Sequence, residues 1–325
     1  MSVFLVGELE MINKSTFHIN FLRYKIPAYI FSSMLFMAGI GGYVYYGGLH
    51  YSVDFTGGRQ IRFVFSNQVG SENLKNILHK NGWEDASVRE FTETDIAVRV
   101  QNSKQEGRED GKIEAGEATE STENTDNQSI DQKMKAALET GLPGVTVTIT
   151  EANYVGPAAG AELRRNAILM TTLGLLIMLL YIAVRFWSFS YGVGALVALL
   201  HDPLAIVALL AVTQIEVSPN VIMAILAVMG YSINDTIVIF ARIRQHFALA
   251  HSGDSPEKIV NDSLNQTLSR TILTSFATFL VVLAFFLFGG ESLRNLSLAF
   301  MTGILIGTYS SIFIASPIML ALRRS

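Results

Sequence analysis

Cysteine is absent from this chain, which excludes disulfides and thiolate metal sites and is compatible with either side of a membrane. Charge is scarce as well. Only 16% of the residues are Asp, Glu, Lys or Arg, where a soluble domain carries roughly 25%. The balance is apolar: hydrophobic residues make up 50% of the chain and the mean hydropathy is +0.36. Six long apolar runs recur, at about 26–47, 166–184, 191–212, 220–241, 271–288 and 296–321. At ~1.5 Å per residue each can cross a ~30 Å hydrocarbon layer. The composition predicts a polytopic α-helical membrane protein.

Basic residues set the expected orientation. Lys14, Arg23 and Lys25 precede the first run, Arg185 lies between the second and third, and Arg242, Arg244, Lys258 and Arg270 lie between the fourth and fifth. Arg323 and Arg324 end the chain, while the opposite short loops hold Glu216 in one case and Glu291 with Arg294 in the other. The positive-inside bias therefore places both termini in the cytoplasm. The first run is longer than a signal-peptide core and no small-residue cleavage pattern follows it, so it reads as an uncleaved span.

The expected domain order is a cytoplasmic segment over 1–25, a first span over 26–47, an extracytoplasmic domain over 48–165 and a five-span membrane domain over 166–325 with a short cytoplasmic end. Within the outer domain, Arg59–Ser66 alternates Ile61, Phe63 and Phe65 on one face and predicts a strand. Ser71–Lys80 carries Leu74, Ile77 and Leu78 at helical spacing. Ser87–Phe91, Ile96–Gln101 and Val145–Thr150 read as further strands, and Asp131–Glu139 as a short helix ended by Gly141 and Pro143. The order β-α-β-β-α-β predicts a small ferredoxin-like α+β sandwich. Between its third strand and second helix, 105–131 holds nine acids and two bases with almost no large apolar residue. Such a segment cannot bury enough surface to offset its ordering entropy and is expected to be disordered. No long tandem repeat is evident, and six spans with a large domain after the first are expected to be half of a duplicated transporter whose other half is a separate chain.

Ionisable residues in the spans carry the chemistry. Asp235 sits in the apolar run Val221–Phe240, and a carboxylate there marks an ion path or a pairing site. It falls about six residues from the cytoplasmic end of the fourth apolar run. Arg270 opens the fifth run, and its long stem lets the guanidinium reach inward toward Asp235. Protonation of Asp235 would dissolve such a pair and free the helices to shift. The plain alternative is a static salt bridge locking two helices. In the third run, His201 and Asp202 offer a second titratable pair, although neighbours on a helix point about 100° apart and Pro203 is expected to break the helix. Asn234, Asn265 and Gln266 can bond across helices, Arg242 follows the fourth run, and Gly303 with Gly307 permits close helix approach. At the two ends of the outer domain, Asp54, Gly57 and Gly58 form one junction, and Gly156 with Pro157 reads as a hinge or simple punctuation.

Taken together, these strings are specific. Asp54-Phe-Thr-Gly-Gly58, Val155-Gly-Pro157 with Glu162-Leu163, Arg185-Phe186, His201-Asp202, Gly230-Tyr-Ser-Ile-Asn-Asp-Thr-Ile-Val238, Arg242-Ile-Arg244, Ser269-Arg-Thr271 with Thr274-Ser275, and Gly307-Thr-Tyr-Ser-Ser311 resemble the SecF family of membrane subunits of the bacterial SecD–SecF export complex, in the order that family shows. The resemblance covers the chain from about residue 17. It departs at Ala241-Arg-Ile-Arg-Gln245, where the family often reads Asp-Arg-Ile-Arg-Glu, and in the longer acidic insertion.

The resemblance implies an RND-like subunit of the bacterial inner membrane that couples proton flow to late-stage translocation of preproteins. It implies SecD as partner, the SecYEG translocon with YajC and YidC as neighbours, and unfolded preproteins as cargo. Protons would be the coupling ion, through Asp235 and Arg270. No cofactor, metal, nucleic acid or enzymatic step is expected. The rival readings are a passive scaffold of the translocon, an RND-type small-molecule efflux half-transporter, and an intramembrane aspartyl protease using Asp202 and Asp235, which would need the two acids to share a proton.

Overall fold

The computed structural model describes residues 19–84, 86–100, 120–251 and 253–324. They form two compact units: one takes the chain up to His50 together with Ala167–Ser325, and the other takes Tyr51–Asn166.

The smaller unit is a four-stranded antiparallel sheet with two longer helices and a single short turn of helix at Val53–Thr56. Its strands are β1 (Gly58–Phe65), β2 (Ser87–Thr92), β3 (Asp95–Val100) and β4 (Val147–Val155). The longer helices are α1 (Ser71–Lys80) and α2 (Glu120–Gly141). The strand order is β2-β3-β1-β4, with Ile61 opposite Val98 and Phe63 opposite Ile96. The alternation of β1 buries Ile61, Phe63 and Phe65 against Leu74, Leu78, Met134 and Leu138 of the two helices. A bulge in the β1–β4 pairing falls between Arg62 and Phe63. Arg62 holds Asp95 through two bonds of 2.7 and 2.5 Å, and that bond raises the guanidinium above its ordinary pKa.

Helix α2 begins at Glu120, so the acidic segment expected to be disordered is helical from Glu120 onward, and its earlier part lies outside the described residues. Apolar content alone misjudged this stretch. The stretch Glu120–Asp131 is mostly Ser, Thr, Asn and Asp, weak helix formers, and its helix continues into a segment rich in Lys and Ala that the buried Met134 and Leu138 anchor.

Among the described residues six helices are long and apolar enough to cross a membrane: Phe21–Tyr46, Ala158–Phe186, Phe189–Thr213, Pro219–Leu249, Pro256–Phe288 and Leu293–Arg323. These are spans one to six. Proline opens spans four and five, at Pro219 and Pro256, where a missing N–H costs nothing. Span three ends on Gln214 in the left-handed region (φ 52), its side chain donating to Ala211 O at 2.8 Å. Pro203 does not break span three, which runs unbroken through it. Burial of the neighbouring turns against other helices outweighs the lost backbone bond.

Spans three, four and six form the buried centre, and spans one, two and five expose most of their surface. Small residues set that arrangement. A methyl on Gly303 would overlap the Val228 side chain, and one on Gly307 would lie 2.8 Å from Ser232 Cβ. Spans four and six therefore touch along Gly303 and Gly307, as the spacing predicts. Span six also contains a wide π-helical turn at Ser311–Ala315. There Ser311 Oγ meets Thr236 Oγ1 at 2.8 Å.

Candidate functional site

Asp235 points into the centre of the membrane unit and is 3% exposed. Ser275 of span five is its hydrogen-bonding neighbour, Oγ to Oδ2 at 3.4 Å. The serine is itself held on two more sides, by Tyr231 O–H at 3.2 Å and by Thr308 of span six at 2.7 Å. Thr308 donates to the Ile304 carbonyl at 2.8 Å. Its hydrogen is thereby committed, so Ser275 is the donor to Thr308. One serine hydrogen thus faces two acceptors, and the closer is Thr308. Among the described residues this long bond is the buried carboxyl group's only one, an arrangement that makes a lasting negative charge costly.

Arg270 is near enough for its charge to act on Asp235, yet among the described residues it forms no ion pair, and it is exposed. Helix phase explains the separation. The buried stripe of span five runs through Ser263, Thr267, Thr271 and Ser275, and Arg270 stands about 100° off it. It is also not at the start of its helix, which begins at Pro256. The direct pairing expected from the sequence is therefore replaced by a hydroxyl on the same helix.

His201 and Asp202 do come together. His201 Nδ1 lies 3.1 Å from Asp202 Oδ1, with the side chains 7% and 0% exposed. Ser232 of span four donates to the other carboxylate oxygen. Their positions on the helix differ by about 100°, but an aspartate and a histidine reach sideways far enough to close that angle. On the opposite edge of the ring, Nε2 meets Ser32 of span one at 2.9 Å. Asp202 and Asp235 thus go to different partners, and no contact joins the two carboxyl groups among the described residues.

The remaining sequence candidates fall elsewhere. Asn234 is exposed. Arg242 ties spans four and five together through Gln266, Nε to Oε1 at 2.8 Å, and also donates to Gln245 at 2.7 Å. It is a clamp at the helix ends. In the smaller unit, Asp54 accepts from Ser52 at 2.9 Å. Gly57 and Gly58 take φ of 70° and 120°, and Gly160 packs so closely that a methyl there would lie 2.8 Å from Gly57 N. Gly156 links β4 directly to the helix that Pro157 opens. The hydroxyls of Ser32, Ser232, Ser275, Thr308 and Tyr309 were not legible as site residues, apart from the run of inward hydroxyls at helical spacing in span five.

Comparison with known proteins gives one consistent answer. The family described as protein export membrane protein SecD/SecF, C-terminal, matches residues 129–325. The protein translocase subunit SecF of Thermodesulfovibrio yellowstonii is 35% identical over 315 residues, covering 95% of this chain and 96% of that protein. The SecF of Pseudomonas aeruginosa is 33% identical, covering 94% and 92%. The crystal structure of SecDF from Thermus thermophilus, a translocon-associated membrane protein, aligns with a TM-score of 0.77 at 30% identity, over 95% of this chain and 39% of that one.

Proposed function

This chain belongs to the SecF family of protein-export membrane proteins, and on that premise we propose that it works as a proton-driven subunit of the Sec machinery. The observation that carries the proton-driven part is Asp235, buried at the meeting of spans four, five and six with one long hydrogen bond. An acid so placed is inexpensive to protonate and expensive to leave charged. Loading a proton removes the charge, releases Ser275 wholly to Thr308 and lets spans five and six settle closer. Giving it up restores the charge and pulls Arg270 inward. One charge crossing ~100 mV is worth ~2.3 kcal/mol, enough to bias such a two-state cycle.

The rest of the assignment follows from the family. One of its solved members carries SecD and SecF together in one chain, of which this chain matches 39%, and SecD is the partner that completes the unit. The SecYEG translocon, with YajC and YidC, supplies the emerging preprotein. The smaller unit, whose strand order fits a ferredoxin-like sandwich, stands outside the inner membrane, and both termini stand in the cytoplasm. The proton is the only coupling ion required, and neither a cofactor nor an enzymatic step enters the cycle.

Preprotein export with SecD present and the proton gradient intact, compared between wild type and Asp235→Asn, tests this reading. Asparagine keeps size and polarity but carries no proton. We expect export to fall to the level seen without the chain, at normal protein level and with SecD binding retained. Unchanged export would overturn proton coupling and favour a passive scaffold. Small-molecule export continuing without SecD would favour an RND-type efflux half-transporter.

A further inference from the structure

The second buried acid of the membrane unit lies in a chain of hydrogen bonds whose direction follows donor by donor. The Tyr309 hydroxyl donates to the Ala28 carbonyl at 2.6 Å, which commits its only hydrogen. The 3.1 Å contact between Tyr309 and Ser32 must then be donated by Ser32. With that hydrogen committed, Ser32 Oγ can only accept from His201 Nε2, 2.9 Å away. Nε2 therefore carries a hydrogen. On the far side of the ring, Nδ1 stands 3.1 Å from Asp202 Oδ1, while Ser232 donates to Oδ2. A neutral ring protonated on Nε2 would aim a bare lone pair at a carboxylate, and two acceptors at that distance repel. One more proton lies between them, on Nδ1 of an imidazolium or on Oδ1 of a neutral acid. Either way the pair is net neutral.

We infer that His201 and Asp202 form a proton-binding site of the membrane unit, separate from Asp235, kept loaded by Tyr309 acting through Ser32. A neutral pair costs far less to bury than a lone carboxylate. The titratable groups on the helices packed around it are few. Span one brings Tyr29, within reach of Tyr309. Span six brings Tyr309 itself, its ring 6.1 Å from that of His201. Span four brings Tyr231, bonded to Ser275, and Asp235, one turn beyond Ser232. Arg323, at the end of the chain, lies over Phe247. Among the described residues no Lys or Arg is paired with His201 or Asp202.

Release of the proton reverses the chain. One proton leaves, the ring keeps its remaining hydrogen on Nδ1 facing the carboxylate, Ser32 turns its hydrogen to Nε2, and Tyr309 turns its own from Ala28 to Ser32. No other hydrogen is gained or lost. Spans one, three, four and six each contribute a group, so all four feel the change.

The test is the 15N spectrum of histidine-labelled chain, reconstituted with its SecD partner in vesicles. The six histidines are resolved by the signal missing from His201→Gln. We expect Nε2 of His201 to carry a hydrogen in the wild-type chain, as the hydrogen-bond directions require. Tyr309→Phe keeps the ring contacts to Phe31 and Phe313 but frees Ser32, and should lower the proton affinity of the pair about tenfold, the weight of one net hydrogen bond. The Nε2 hydrogen would then be lost on the alkaline side. Ser32→Ala should shift the profile in the same direction, which covers a Tyr309→Phe chain that fails to assemble. A bare Nε2 in wild type, or a profile that neither variant moves, would overturn the inference. The spectra require no export, so an Asp235→Asn chain that exports normally would remove the motor reading and leave this one standing.

Discussion

Ser275 stands 3.4 Å from Asp235 and 2.7 Å from Thr308, and its single hydrogen serves one of them at a time. On the proton-driven reading proposed above, the serine is the group through which the charge state of span four reaches span six. Ser275→Ala should slow proton-driven export about fivefold, the weight of ~1 kcal/mol. Combined with Asp235→Asn it should add nothing further, because both act through one contact. Export rates of the two single variants and the double variant check this, and additive losses would separate the residues.

Arg270 is exposed and has no ion-pair partner among the described residues. Arg270→Gln should leave thermal stability within ~0.5 kcal/mol, yet impair export as severely as loss of Asp235. Parallel melting and export measurements decide the matter. A large loss of stability would reveal a structural anchor instead.

The seam between spans four and six has no room to spare. Gly303→Ala should destabilise the membrane unit by about 1–3 kcal/mol through overpacking against Val228. Shortening that neighbour, Val228→Ala, removes its two methyls but leaves its Cβ 2.9 Å from the added methyl, so the double variant should recover only part of the loss. Melting of the four chains in detergent measures both numbers.

In the smaller unit, Arg59 Nη1 holds Asp131 at 2.7 Å, with side chains 6% and 17% exposed. Asp131→Ala should cost about 2 kcal/mol, the range for a charged hydrogen bond, and should loosen the middle of α2. Hydrogen exchange along α2, faster than wild type near residue 131 and unchanged near Leu138, is the expected pattern.

Much of this was legible in the residues. Apolar runs placed the six spans, and period-two alternation at Ile61, Phe63 and Phe65 placed β1 with its inward face. Gly303 and Gly307 announced close packing. The failures have local causes. Pro203 was read as a breaker because the lost backbone bond is visible in sequence and the compensating burial is not. Asp235 and Arg270 were paired by charge, whereas the phase of span five puts Ser275 on the inner stripe and Arg270 off it. Tyr309 and Ser32 lie 277 positions apart, and two ordinary hydroxyl residues so distant give no sign that they meet.

The wide turn at Ser311–Ala315 gives span six one residue more than a regular helix would fit into that length. Such a surplus can migrate, each step exchanging one backbone hydrogen bond for its neighbour. The turn's own neighbours lie on two other spans, Ser311 reaching the Ser232 carbonyl at 3.4 Å and the Ala315 carbonyl lying close against Gly194, so a passing surplus would turn this stretch against both. A rod of this kind transmits a rotation without sliding, and a signal arriving at its middle need not drag its whole length through the bilayer.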